Sequence, residues 1–372
     1  MKLYEEKPVI HQYENAKDFV TDFQIGKGDF ILAGKSVFES HFTELKETGA
    51  QIHYKSQYGQ GEPTDLMVDA LLADFRKTDC DRIIAIGGGA VIDMAKILVL
   101  DGDASAADIY QRKTEPKKVR SLVAVPTTCG AGSEVSSVSI AELTKMHTKL
   151  GLACEEIYPD HAVLIPELLE GLPWHFFVTS AIDALIHAIE SYVSPKSNLY
   201  TRMFAKKAME ILLSGFRKLA EEGKDYRKHL FEEFLVASNL AGISFANAGT
   251  GAVHAMSYPL SGVYHVTHGE ANYQFLTAVF QTYQEKDPKG GIQKLNSFLA
   301  GILGCDPKDV YQEMESLLAS LIQRKPLREY GMKEEEIRTF AKSVEEAQQR
   351  LLNQSYVKFN AADMEEIYRK LY

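Results

Sequence analysis

Arg82-Ile-Ile-Ala-Ile-Gly-Gly-Gly-Ala-Val-Ile-Asp-Met-Ala-Lys-Ile97 changes character in its middle, and that change decides how the first half of the chain folds. Residues 82–86 form a short apolar run that reads as a buried strand, and residues 90–97 read as a helix. The three glycines between them put exposed backbone amides at a helix N-terminus, where a pyrophosphate can be held. This is not a complete G-x-G-x-x-G, because Ile92 stands where its third glycine belongs. Taken alone, the stretch fits a tight turn without ligand equally well.

The neighbouring sequence favours a ligand. Phe30-Ile-Leu-Ala33, Gln51-Ile-His-Tyr54 and Ser121-Leu-Val-Ala-Val125 are further strand-like runs separated by helical patterns, which predicts βαβ units and a parallel sheet. The last run leads into Pro126-Thr-Thr-Cys-Gly-Ala-Gly-Ser-Glu134, a second glycine-rich loop with hydroxyls at Thr127, Thr128 and Ser133. Open α/β sheets bind ligands beyond the carboxyl ends of their strands, so two such loops at successive strand ends predict one crevice. From about residue 166 the pattern turns helical, over 201–220, 228–245, 267–284 and 292–301. The expected organisation is an α/β dinucleotide-binding domain over 1–163 and an all-helical domain over 164–372, joined near Leu164-Ile-Pro-Glu-Leu-Leu-Glu-Gly-Leu-Pro173.

The helical half carries Asp183-Ala-Leu-Ile-His187, whose i,i+4 spacing aims both side chains off one helix face. Such a pair on a helix surface usually means no more than a solvated hydrogen bond. Here Ala181, Ile182, Ala184, Leu185, Ile186, Ala188 and Ile189 surround it, so the carboxylate is expected to be buried and in need of a cation. His254 and His268 form a second pair, with Pro259 and Gly262 expected to break the intervening helix and return the chain to the same point. Asp183, His187, His254 and His268 thus make a candidate metal site without thiolate, open to a further ligand. Such donors suit Fe²⁺, Zn²⁺, Co²⁺ or Ni²⁺. Thr267 and Glu270 are expected to form a capping box presenting His268.

Composition sets the context. In 372 residues, 45% are hydrophobic and 25% charged, the profile of an ordinary globular protein large enough for two domains. A formal net charge of −10 argues against nucleic acid as a partner and leaves small-molecule chemistry. Four cysteines without a Cys-x-x-Cys pair, and an N-terminus without an apolar signal region, point to the cytoplasm. No membrane association is expected.

Gly87-Gly-Gly-Ala-Val-Ile-Asp-Met-Ala-Lys96, Thr127-Thr-Cys-Gly-Ala-Gly-Ser-Glu134, Leu164-Ile-Pro-Glu-Leu168, Asp183-Ala-Leu-Ile-His187 with Ala188-Ile-Glu190, and His254 with His268-Gly269 together resemble the iron-dependent (group III) alcohol dehydrogenases. The motifs occur in that family's order over roughly residues 30–270. The resemblance implies a Rossmann-like N-terminal domain, an all-α metal-binding C-terminal domain and a cleft between them, the plan shared with dehydroquinate synthase. It implies Asp183, His187, His254 and His268 as ligands of iron, and Gly88, Gly89, Thr127, Thr128 and Ser133 as dinucleotide contacts. Lys149 matches a lysine that touches the cofactor. Asp93, in the first turn after the glycines, fits either ribose binding or a favourable helix-dipole interaction.

The expected reaction is hydride transfer between an alcohol and NAD(P), with the cation stabilising an alkoxide or polarising an aldehyde. The overall run of the chain is most similar to members that interconvert 4-hydroxybutyrate and succinate semialdehyde. Dehydrogenases of other alcohols or diols are the nearer alternatives, including 1,3-propanediol, lactaldehyde and zinc-dependent glycerol types, and a dehydroquinate synthase-like lyase the more remote one. Relatives suggest a homodimer or larger assembly.

Two positions depart from the family pattern. Many members carry a histidine four residues after the one matched by His254, where this chain has Tyr258; His265 is the substitute candidate for proton relay. NAD-preferring relatives often place an aspartate near the strand end that here reads Gly34-Lys-Ser36. The missing acid and added lysine tolerate NADP, whereas the closer resemblance implies NAD.

Overall fold

The computed structural model describes residues 2–146 and 148–372. Its strands are β1 (Val9–Gln12), β2 (Asp29–Ala33), β3 (Gln51–Tyr54), β4 (Arg82–Gly87), β5 (Ser121–Pro126), β6 (Val138–Leu143), β7 (Thr148–Ala153) and β8 (His161–Leu164). Six of them form a wholly parallel sheet in the order β1-β8-β5-β4-β2-β3, while β6 and β7 pair as an antiparallel hairpin.

The register explains why the central strands read as continuous apolar runs. Phe30 lies beside Ile83 and Ile83 beside Leu122, all turned to one side with Val68, Leu71 and Phe75 of the Asp65–Phe75 helix. Ile31, Ile84 and Val123 turn to the other side, against Phe19, Phe38 and Phe42. A sheet covered on both faces has no solvent side to alternate with.

The chain steps from β2 outward to β3, then returns to the other side of β2 as β4 and continues to β5. This reversal puts a topological switch point at the carboxyl ends of β2 and β4, the usual ligand crevice of such sheets. Gly34 follows β2, Gly88 and Gly89 follow β4, and Thr127 follows β5.

The four strands read from sequence all form, whereas β1, β8 and the hairpin were not anticipated. β1 is an edge strand with Val9 and Ile10 exposed and polar His11 and Gln12, so it carries no apolar run. β8 has only four residues and abuts the stretch read as a junction.

The chain divides into two compact units, residues 6–173 and residues 174–372, the latter taking in the first residues up to Glu5. The division falls after Pro173 rather than after residue 163, because Leu164, Ile165 and Leu168 are buried beside the sheet. Among the described residues the second unit contains helices and no strand. The Trp174–Val193 helix is its centre, packed by the Leu199–Glu222, Phe231–Ala248 and His268–Lys286 helices. By length and composition this helix is apolar enough to cross a membrane, yet from Phe177 to Val193 only Ser180 escapes burial inside the unit.

Candidate metal centre and nucleotide loops

Three turns of the Trp174–Val193 helix present Asp183, His187 and Glu190 on one face, since their spacings of four and three match the helical repeat. The Ala252–Tyr264 helix brings His254 against them, and the next helix begins at His268. One donor atom from each of Asp183, His187, His254 and His268 falls within 4.8 Å of every other. His254 Nε2 stands 2.9 Å from His187 Nε2 and 3.8 Å from Asp183 Oδ1, and His268 Nε2 stands 3.9 Å from Asp183 Oδ2. Asp183, His187 and His254 are buried; His268 is partly exposed. The His187 ring stacks on Phe245 with centroids 4.3 Å apart.

Glu190 selects the tautomer of a neutral His254. Its Oε2 lies 2.6 Å from His254 Nδ1, and its Oε1 accepts from Val253 N at 2.7 Å. A carboxylate can only accept here, so Nδ1 carries the hydrogen and Nε2 turns its lone pair toward His187 and Asp183. Donors about 2.1 Å from a tetrahedral ion stand about 3.4 Å from one another, so this cluster fits one divalent cation.

Close backbone packing positions His268, the fourth member of the cluster. A Cβ on Gly269 would stand 2.5 Å from Thr179 O and 3.3 Å from Asp183 Cβ, so only glycine lets the His268–Lys286 helix begin this near Asp183. The route to His268 differs from the sequence reading. The helix runs through Pro259 and Gly262 to Tyr264, and the reversal falls at His265, which is left-handed with φ +54°. Thr267 caps the next helix without a side-chain hydrogen bond, and Glu270 turns away to His175 and Tyr330, each at 2.9 Å. The expected capping box is therefore absent, because Glu270 is engaged by two other elements.

Of the two proton-relay candidates, Tyr258 is buried with its ring 6.5 Å from that of His268, while His265 is exposed. Two residues that the spacing argument left without a role join the site: Glu190, and Asn272, whose Nδ2 lies 2.7 Å from Asp183 Oδ1 and 3.2 Å from His268 Nε2. Both were findable by helical arithmetic, Glu190 three residues after His187 and Asn272 four after His268.

In the other unit the two glycine loops meet. Gly88 caps the Gly89–Leu98 helix, and a Cβ there would approach Thr128 to 3.2 Å; one on Gly89 would approach Ala131 to 2.9 Å. Thr127 N donates to Gly87 O at 3.1 Å, joining the loops through their backbones. Gly34 N donates to Ile86 O at 2.9 Å, bringing the β2 end alongside.

Ser133, matched to a dinucleotide contact, and Asp93, which fitted either ribose binding or the helix dipole, face each other. Ser133 Oγ donates to Asp93 Oδ1 at 2.5 Å, Ile140 N donates to Asp93 Oδ2 at 3.0 Å, and fully buried Lys96 donates to Ser133 Oγ at 2.7 Å and Val138 O at 2.6 Å. Burial pushes the Asp93 carboxyl up and the Lys96 ammonium down, against their mutual attraction. These residues tie the second loop to the Gly89–Leu98 helix. Lys149 sits on β7 opposite Glu142 of β6.

Residues 177–372 match the model for the C-terminal part of the Fe-containing alcohol dehydrogenase family, and residues 10–166 match that for iron-containing alcohol dehydrogenase. The chain belongs to this family. A 4-hydroxybutyrate dehydrogenase of Clostridium kluyveri is 51% identical over 372 residues, covering 100% of both chains. Among solved structures of the same fold, a 1,3-propanediol oxidoreductase superposes with a TM-score of 0.85 at 24% identity, covering 100% of both chains. A sulfoacetaldehyde reductase from Bifidobacterium kashiwanohense, solved with NAD⁺, gives 0.84 at 23% identity, covering 99% of this chain and 98% of that one. As an iron-containing alcohol dehydrogenase, the chain is an oxidoreductase acting on an alcohol or its carbonyl product.

Proposed function

We propose that this chain interconverts 4-hydroxybutyrate and succinate semialdehyde with NAD as hydride carrier and Fe²⁺ held by Asp183, His187, His254 and His268. The observation that carries the reading is the buried carboxylate and three imidazoles in a chain 51% identical, end to end, to a 4-hydroxybutyrate dehydrogenase. A divalent ion held there supplies Lewis acidity to the oxygen that changes between alcohol and carbonyl.

The chain's own residues do the rest. Glu190 holds the proton of His254 on Nδ1, keeping Nε2 a donor of electrons. The apolar wall from Ala181 to Ile189 keeps water from competing for the site. Backbone amides at Gly88 and Gly89, with the Thr127 and Thr128 loop, cradle the dinucleotide phosphates, while the Asp93–Ser133–Lys96 cluster holds that loop in shape. His265, at the surface, passes the alcohol proton to solvent. No Lys or Arg occurs between residues 246 and 275, so the substrate carboxylate meets its partner elsewhere. We place the protein in the cytoplasm as a homodimer or larger assembly, and a monomer in sedimentation would refute the assembly.

Anaerobic, Fe²⁺-loaded protein with NADH should reduce succinate semialdehyde faster than lactaldehyde, butyraldehyde or 3-hydroxypropionaldehyde. A preference for an aldehyde without a carboxylate overturns the substrate, and full activity after exhaustive chelation overturns the metal chemistry.

A further inference from the structure

Asn272 is completely buried, and its carboxamide is unevenly satisfied. Nδ2 lies between two of the four candidate ligands, 2.7 Å from Asp183 Oδ1 and 3.2 Å from His268 Nε2, whereas Oδ1 is buried with no hydrogen-bond partner among the described residues. A carboxylate requires a donor, so the nitrogen must face Asp183 and the oxygen must be the atom left over. An apolar side chain of similar size would fill the same space without stranding an acceptor, so packing does not account for an asparagine here.

We infer that Asn272 is a positioning residue for the metal centre: its N–H holds Asp183 Oδ1 and thereby keeps the carboxylate a ligand through a single oxygen. A carboxylate released from this bond is free to turn both oxygens to the cation and take the position a substrate oxygen needs. Asp183 is the only anionic member of the cluster, so its orientation sets both affinity and the number of open positions. Asn272 reaches this point from the second turn of the helix that His268 begins, so one helix supplies a ligand and the group that aligns another.

The inference rests on the metal reading above, and the experiment separates the two. Metal-free wild type, Asn272→Ala and the shape-conserving Asn272→Leu are titrated with Co²⁺, with His254→Ala as the ligand-loss reference and Asn296→Ala as a buried-amide control remote in sequence. Wild type should take up one Co²⁺ and His254→Ala should lose it. Both Asn272 variants should bind Co²⁺ about 10–100-fold more weakly, as is usual when a group supporting a metal ligand is removed. Their visible Co²⁺ bands should weaken as coordination number rises, and kcat should fall more than KM changes. Asn296→Ala should leave affinity and spectrum unchanged. Asn272 variants within about twofold of wild type, with the same spectrum, overturn the inference alone; no Co²⁺ uptake by wild type overturns the metal centre with it. If Asn272→Ala does not fold, Asn272→Leu decides.

Discussion

Glu190 accepts the Nδ1 hydrogen of His254 at 2.6 Å, so the electron pair on His254 Nε2 is directed by a residue on a different helix. Glu190→Gln should weaken Fe²⁺ or Zn²⁺ binding about 10–100-fold in isothermal titration. Glu190→Ala should also lower stability by about 1–3 kcal/mol in denaturant unfolding, because the buried Val253 N–H loses its acceptor. Unchanged metal affinity in both variants would remove Glu190 from the site.

Glu6 gives a pH-dependent test outside the metal site. Among the described residues both of its carboxyl oxygens are buried without a hydrogen-bond partner, and burial, then the nearby charge of Glu134, pushes its pKa from 4.5 up to about 8. Between those values the folded chain holds a proton that the unfolded chain has released, so this contribution to stability is complete below 4.5 and is lost as pH rises through 8. Glu6→Gln should therefore melt like wild type near pH 4 and at least roughly 2 °C higher near pH 9. A constant difference across that range would contradict the assignment.

Lys96 and Asp93 are a buried pair whose separation should be costly. Lys96→Met leaves the Asp93 carboxylate without its cation and should destabilise the chain by about 3–5 kcal/mol in urea unfolding. The double change with Asp93→Asn should recover part of that loss. NAD affinity should fall along with stability, since Lys96 also holds Ser133 of the second loop and Ser136 just after it.

Gly34 offers a test of coenzyme choice. Its backbone is in an ordinary extended conformation, and an added Cβ would meet only Ile86 O, at 4.0 Å. Gly34→Asp should thus fold normally and raise the ratio of NADH to NADPH activity roughly tenfold or more, on the order expected for one charge repelling a 2′-phosphate. An unchanged ratio would place the ribose elsewhere.

His265 occupies the left-handed region, which asparagine tolerates well. Exchanging His265→Asn should leave the melting curve intact and flatten the pH profile of kcat, whereas Tyr258→Phe should leave that profile unchanged. The opposite result assigns the relay to Tyr258.

What the sequence revealed follows from how locally each feature is encoded. β2, β4 and β5 were legible because burial on both faces makes their runs apolar throughout, and the shared helix face of Asp183 and His187 because one helix fixes their spacing. β1 was hidden because its identity comes from pairing with β8, not from its own residues. Pro259 misled for a related reason: a proline signals a helix break locally, but burial of Leu260 and Ser261 carries the helix through it. Thr267 and Glu270 matched a capping pattern, yet His175 and Tyr330, distant in sequence, claim the glutamate. The hydrogen bonds that join Asp93, Ser133 and Lys96 were not legible, because they depend on the tertiary position of Lys96.

The missing side chain at Gly269 reaches further than the space it leaves. With the start of one helix seated against Thr179 O of another, the separation of His268 from Asp183 is set by two main chains rather than by freely rotating side chains. A cation held by these residues would order little that was not already ordered, so the entropic cost of assembling them would have been met during folding. Replacing this one glycine by alanine should therefore slow metal capture and loosen retention together, although every ligand atom would still be present.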